Sequence, residues 1–363
     1  MKLRNSVLIS SLALSLFGLV MIYSASSYGA LLHFGDAFFY VKKQAASLVA
    51  GLVMMFIGYK IKPEFLNKWK WFIYIFSMAL LAMVFIPGVG MSSYGATRWI
   101  SLGFVTFQPS EISKFGLMIF LAGYMAERPP TGFLKMLTPL AFGLAMCVLV
   151  MLEPNMSVTV CIVLSMVILV FTAGVRVRDM AIIGGGLLSA IPLLIIAEPY
   201  RLKRLFAYLD PFANPRGEGY QLIQSYYALA SGGLFGLGLF QSRQKYLFLP
   251  FAESDFIFSI IGEELGFFGS VAVIAVFLVL IIGGYSIAVK AKDKHQSLLA
   301  VGITTIIAVQ TVVNIAVVSG SIPPTGLPLP FISAGGSSLM VFLMTVGILL
   351  NIEKRSRVLE VKL

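Results

Sequence analysis

Charge is what this chain has least of: 16 acidic and 27 basic residues among 363, or 12%, against roughly 25% in a soluble domain. So few charges cannot cover a globular surface. With 58% hydrophobic residues and a mean hydropathy of +0.92, a soluble enzyme and a disordered chain are both excluded. Cysteine is nearly absent as well. Cys147 and Cys161 both lie inside apolar runs, which excludes a disulfide framework and a metal-thiolate cluster. Nowhere does polarity alternate over segments of about 10 residues, so an outer-membrane barrel is excluded too. The net charge of +11 does not point to nucleic acid, because zinc-finger spacing, an RNP-like aromatic motif and a basic helix are all missing. No internal repeat of the kind found in many secondary transporters stands out.

What is present is a series of apolar runs of about 20 residues, the length that crosses a bilayer as a helix. They fall at roughly 6–25, 44–60, 71–88, 109–126, 136–152, 156–174, 179–197, 256–288, 298–319 and 335–352. The fold class expected is an all-α polytopic membrane protein of about ten transmembrane helices, forming one domain over 1–363. The first run resembles a signal peptide, with Ser24-Ala25-Ser26-Ser27 as a mock cleavage site. Ser6 to Tyr23 is longer than the 7–15 residues of a signal core, so an uncleaved first helix is expected. Assigning the basic residues to alternate sides puts nearly twice as many on the side of Lys2, Arg4, Lys60, Lys62, Lys68, Lys70, Lys354 and Arg355 as on the other. By the positive-inside rule both termini are cytoplasmic. Most of the outer basic residues cluster in one segment, about 198–255, between spans seven and eight. A connection that long is expected to be an ordered, functional extracytoplasmic loop.

Ionisable groups at or inside the hydrocarbon cost at least about 2.5–3.5 kcal/mol each, so they mark structure or function. One cluster is Arg98-Trp99-Ile100 with Gln108-Pro109-Ser110-Glu111-Ile112-Ser113-Lys114. Pro109 suits a first helical turn, and Glu111 and Lys114, three apart, share a face. They make either a register-locking ion pair or a substrate contact, and Arg98 beside them suggests a polar cavity open to the outer face. The second cluster is the long loop and its exit. Asp255 is the last polar position before an apolar stretch, where a carboxylate serves either as a helix cap or as a base at the membrane boundary. Arg201, Lys203, Arg204, Arg243 and Lys245 share that loop as anion binders. Glu263 and Glu264 follow on the next helix, with Glu263 flanking rather than sharing the face of Asp255, and they serve either as interfacial carboxylates paired to loop bases or as a proton relay. Gly232-Gly233-Leu234-Phe235-Gly236-Leu237-Gly238 lacks the context of a dinucleotide loop and reads as backbone irregularity, such as a re-entrant helix. The proline-rich stretch from Ser321 to Ser338 also breaks the helix and must line protein or water.

In this order, these landmarks resemble the SEDS family of peptidoglycan polymerases. The carrying segments are the Arg98 to Lys114 motifs, Asp210-Pro211-Phe212-Ala213-Asn214-Pro215 with Gly219-Tyr220-Gln221, Gln224-Ser225 with the glycine run, Ser254-Asp255-Phe256-Ile257-Phe258, and Pro324-Thr325-Gly326 to Ser338. Gly238 to Lys245 and Gly262-Glu263-Glu264-Leu265-Gly266 look more like the FtsW and SpoVE branch than RodA. The resemblance implies a glycosyltransferase using lipid II at the outer face of the bacterial cytoplasmic membrane, for division or shape. It implies Asp255 as the catalytic base, and Arg98, Glu111 and Lys114 as substrate-positioning residues. The loop bases, with a divalent cation such as Mg or Mn, would hold the diphosphate. A class B penicillin-binding protein and other divisome or elongasome proteins are the implied partners. Two departures stand out: Asn155 follows Glu153-Pro154 where the family shows aspartate, and Phe251 follows Leu249-Pro250 where it shows glutamate. A lipid II flippase and a scaffold that activates the transpeptidase are the competing classes. The first calls for coupling charges near the midplane, and the second leaves Asp255 dispensable.

Overall fold

The computed structural model describes residues 3–93, 96–101, 106–196, 199–217 and 219–361. In chain order its helices are α1 (Leu3–Phe34), α2 (Phe39–Lys60), α3 (Pro63–Lys68), α4 (Lys70–Met83), α5 (Pro109–Glu127), α6 (Phe133–Leu152), α7 (Met156–Thr172), α8 (Val177–Ile196), α9 (Pro199–Leu209), α10 (Tyr220–Gly232), α11 (Ile257–Lys290), α12 (Lys294–Val318) and α13 (Gly336–Val361). Every expected span coincides with one of them. Among the described residues, 6 helices are long and apolar enough to cross a membrane by length and composition. α1 runs through Ser24 to Ser27 without a break and continues well past the expected end. α4 stops at Met83, ahead of Pro87-Gly88, and is shorter than expected because the chain there turns into strands. The all-α expectation needs a correction at that point. Antiparallel strands β1 (Gly90–Ser93), β2 (Ala96–Ser101) and β3 (Thr106–Phe107) form a small sheet that carries Arg98 on its middle strand.

α12 and α5 form the centre. Both are buried almost all round, the pattern of helices enclosed by other helices, and α12 packs against α5, α7 and α11. α2, by contrast, exposes Val49, Val53, Phe56 and Ile57 and buries its opposite face against α13. Small residues set that second contact. A Cβ on Gly58 would lie 2.2 Å from the Met344 carbonyl oxygen, and one on Gly347 would lie 2.0 Å from that of Met55. The two backbones approach as closely as small residues allow between membrane helices.

α11, expected as one continuous span, is broken at Gly266, whose φ of 68° and ψ of −165° are not helical. The glycine run supplies the missing partners. Leu237 and Gly238 donate their N–H groups to the carbonyls of Glu263 and Glu264, both at 3.0 Å. Phe267 and Phe268 donate theirs to Gly233 and Leu234, at 2.9 and 3.1 Å. The loop after α10 therefore satisfies the groups that a break inside a membrane would leave orphaned. Gly236 makes the fit possible, with φ +81° and a would-be Cβ only 2.1 Å from the Glu264 carbonyl oxygen. Gly236→Ala is expected to lower stability by about 1–3 kcal/mol. Gly184→Ala, at a helical position with open space around it, should change it little. Thermal unfolding of the purified variants in detergent measures the difference.

Candidate functional site

One end of the bundle collects Arg98, Glu111, Lys114, Arg204 and Asp255. Pro109 starts α5 in its first turn, placing Glu111 and Lys114 on the inner face of that helix. Lys114 is fully enclosed. Its Nζ lies 2.8 Å from Glu111 Oε1 and 2.6 Å from Gln310 Oε1 of α12. The other Glu111 oxygen accepts from Ser338 Oγ of α13 at 2.6 Å, so the pair joins three helices. Gln310 passes the connection on by donating to the Pro328 carbonyl at 2.8 Å.

One turn along α12, Asn314 donates through Nδ2 to the carbonyls of Asp255 and Leu327, at 2.8 and 2.7 Å. Ser333 Oγ donates to the Ser254 carbonyl at 2.6 Å, and the Ala334 N–H donates to that of Glu253 at 2.9 Å. The backbone around Asp255 is thus held by α12 and by the segment leading into α13, while its carboxylate carries no hydrogen bond among the described residues. Asp255 is not the cap of α11. Phe256 holds that position, and no side chain caps the helix. The Asp255 side chain is half-buried beside Gly326, whose would-be Cβ lies 3.2 Å from Asp255 Oδ2. Burial pushes its carboxyl up to about 6; Arg204 and Arg98 pull against that rise and Glu253 adds to it.

Those two arginines are tethered to the walls of the same site. Arg204 Nη1 donates to the Pro324 carbonyl at 3.2 Å, and Arg98 Nε donates to the Glu153 carbonyl at 3.1 Å, with its Nη2 on that of Pro154. The Glu153 side chain is fully buried, and neither carboxylate oxygen has a hydrogen-bond partner among the described residues. Asn155 caps α7 by accepting from the Val158 N–H at 3.4 Å, so an amide does at this position what a carboxylate could also do.

The other loop bases are dispersed. Lys245 is buried, its Nζ shared among Glu264 Oε1 at 3.3 Å, Ser24 Oγ at 3.4 Å and the Phe240 carbonyl. Arg243 and Lys203 are exposed, and the side chain of Arg201 lies outside the described residues. Glu263 gathers the N–H groups of Arg243 and Gln244 at 3.0 and 3.3 Å, together with the hydroxyls of Ser231 and Ser242. The two glutamates expected to pair with loop bases therefore divide the work, one binding a lysine and the other the loop backbone. Sequence reasoning missed Asn314 and Gln310. Their signal was two amides, four residues apart, in an otherwise apolar run. Among the described residues, no group of three or more His, Cys, Asp or Glu could hold a metal ion.

Fold and site together define a multi-pass membrane protein with an acid and two arginines poised at one end of a buried polar network. The sequence matches the family described as "Cell cycle protein", that of FtsW, RodA and SpoVE, over residues 4–358. The chain belongs to that family, on its FtsW and SpoVE side. It is 41% identical to stage V sporulation protein E of Bacillus subtilis, with 97% of each chain covered. It is also 37% identical to the probable peptidoglycan glycosyltransferase FtsW of a Geobacter species, over 97% of this chain and 96% of that one. Among solved structures it resembles a chain from "Structural coordination of polymerization and crosslinking by a peptidoglycan synthase complex" (TM-score 0.80, 27% identity, 96% and 97% covered). The rod shape determining protein RodA of Thermus thermophilus is similar as well (TM-score 0.71, 26% identity, 96% and 95% covered).

Proposed function

We propose that this protein is a peptidoglycan glycosyltransferase that polymerises lipid II at the outer face of the bacterial cytoplasmic membrane, with both termini inside. The observation that carries the reading is Asp255: a carboxylate free of cap duty and of hydrogen bonds among the described residues, on a backbone pinned by Asn314 and Ser333, within the field of two tethered arginines. Its carboxylate takes the proton from the acceptor sugar hydroxyl as that oxygen attacks the anomeric carbon of the donor. The bond from that carbon to the diphosphate breaks, and undecaprenyl diphosphate leaves with the electron pair. Arg98 and Arg204 stabilise the charge that gathers on it. The bulk of the lipid stays in the bilayer. Lys245, engaged with Glu264, holds the loop rather than the diphosphate. A class B penicillin-binding protein is the partner that fits, because peptide cross-linking is the chemistry a glycan polymerase leaves undone.

The test is lipid II polymerisation in liposomes by the purified chain with its cognate transpeptidase, native against Asp255→Asn. Absence of glycan strands from the native pair, combined with movement of lipid II across the bilayer, would favour the flippase class instead. The same assay reads pH dependence. A general base must be deprotonated to act, so turnover should fall as pH drops through about 6, where the Asp255 carboxyl gains its proton. A descending limb near pH 4, as for an ordinary aspartate, would mean that another group sets the rate.

A further inference from the structure

The end of the bundle opposite Asp255 has its own cavity, about 260 Å³, where the first turns of α1 face the last turns of α2 and the second half of α13. Its polar lining is Arg4 and Asn5, and its apolar walls include Leu8, Phe56, Tyr59 and Leu350. Two further cations reach the same rings from outside. Lys60 Nζ sits 5.2 Å from the centre of the Phe56 ring, and Lys354 Nζ sits 5.3 Å from that of Tyr59. No carboxylate lines the cavity. The nearby Arg355 is already neutralised by Glu64 at 2.6 Å, whereas Arg4, Lys60 and Lys354 have no ion-pair partner among the described residues. Three cations around one small, half-apolar cavity, none of them ion-paired among the described residues and no carboxylate among its lining, call for an anion that is apolar on one side.

We infer that this cavity is a binding site for an anionic phospholipid of the cytoplasmic leaflet. Size and surroundings both fit. The volume is below the roughly 300–1,000 Å³ of pockets that enclose whole drug-sized molecules, so it admits a headgroup and leaves the acyl chains outside. Those chains have a surface waiting for them, the exposed face of α2 formed by Val49, Val53 and Phe56. The phosphate is met by Arg4, which can grip it through two parallel N–H groups, and by the Lys60 and Lys354 ammonium groups at the rim. The floor is rigid because Gly58 and Gly347 lock α2 onto α13 directly behind it. Basic pockets between membrane helices on this side are a recurring form of headgroup recognition.

The experiment reconstitutes the full-length protein into vesicles of equal parts phosphatidylglycerol and phosphatidylcholine with identical acyl chains. After extraction, native mass spectrometry counts the retained lipids. Wild type is expected to retain phosphatidylglycerol in preference to phosphatidylcholine. Arg4→Gln should lower that preference about five-fold, and so should the pair Lys60→Gln with Lys354→Gln. Lys292→Gln removes an exposed charge expected on the same membrane face that does not line the cavity, and should leave the preference intact. Equal retention of the two lipids in wild type overturns the site. So does a loss in Lys292→Gln matching that in Arg4→Gln, which would mean diffuse attraction, and so does displacement of the lipid by inorganic phosphate alone. The readout is lipid retention, so it stands or falls separately from the polymerase reading.

Discussion

Asp255→Asn is expected to abolish glycan polymerisation, lowering turnover by at least about 10²–10⁴-fold, the range that a positioned general base contributes. The asparagine keeps the shape of the side chain and leaves Asn314 and Ser333 their backbone acceptors, so the local fold should survive. Stability should even rise slightly at neutral pH, and the sign follows from the raised carboxyl. Burial makes the folded protein hold the Asp255 proton more tightly than the unfolded chain does, so ionising this group costs folding energy above about pH 6. The amide removes that cost. A variant that is folded, partner-bound and silent isolates the chemistry. One that polymerises normally removes Asp255 from the mechanism and returns the protein to the scaffold class.

Lys114→Met carries the second large effect, and it separates the two roles open to the buried pair. Removing the lysine leaves Glu111 charged and enclosed, with only Ser338 to donate to it, and breaking a buried pair in this way costs about 3–5 kcal/mol. A sharply lower unfolding temperature in detergent is the expected result. Glu111→Gln in the same chain removes the stranded charge, so the double variant should regain most of the lost stability. Its activity then decides the role. A stable double variant that polymerises lipid II has lost only a structural clamp. One that is stable but inactive shows that the charges position substrate, the role the family resemblance gives them.

The helices were legible because long apolar runs mark them, and among the described residues 6 of them are long and apolar enough to cross a membrane. Glu111 and Lys114 were legible as partners because helical spacing three apart puts them on one face. The rest depended on neighbours distant in sequence. Nothing near Lys245 announces that it will meet Ser24 from α1 and Glu264 beyond the loop. Local spacing made Asp255 an attractive cap, but the helix starts one residue later, and the backbone before it is held by α12 and the segment leading into α13. Hydropathy passes over Gly266 without a mark, because a break that its neighbours satisfy costs no apolar residues.

That break bears on how the protein enters the membrane. The segment from Phe267 to Lys290, about 24 residues and some 36 Å long as a helix, is sufficient to be taken up as a span by itself. The piece from Ile257 to Leu265 is far too short for that, and its Glu263 and Glu264 would resist entry alone. Its entry must wait for α10 and the glycine loop, whose backbone groups it needs, and for Lys245 and Ser242 to meet the two acids. Asp255, two residues ahead of α11, therefore comes into place only once this late-docking unit has closed. In that order the end that carries Asp255 forms after the Phe267–Lys290 span is secure.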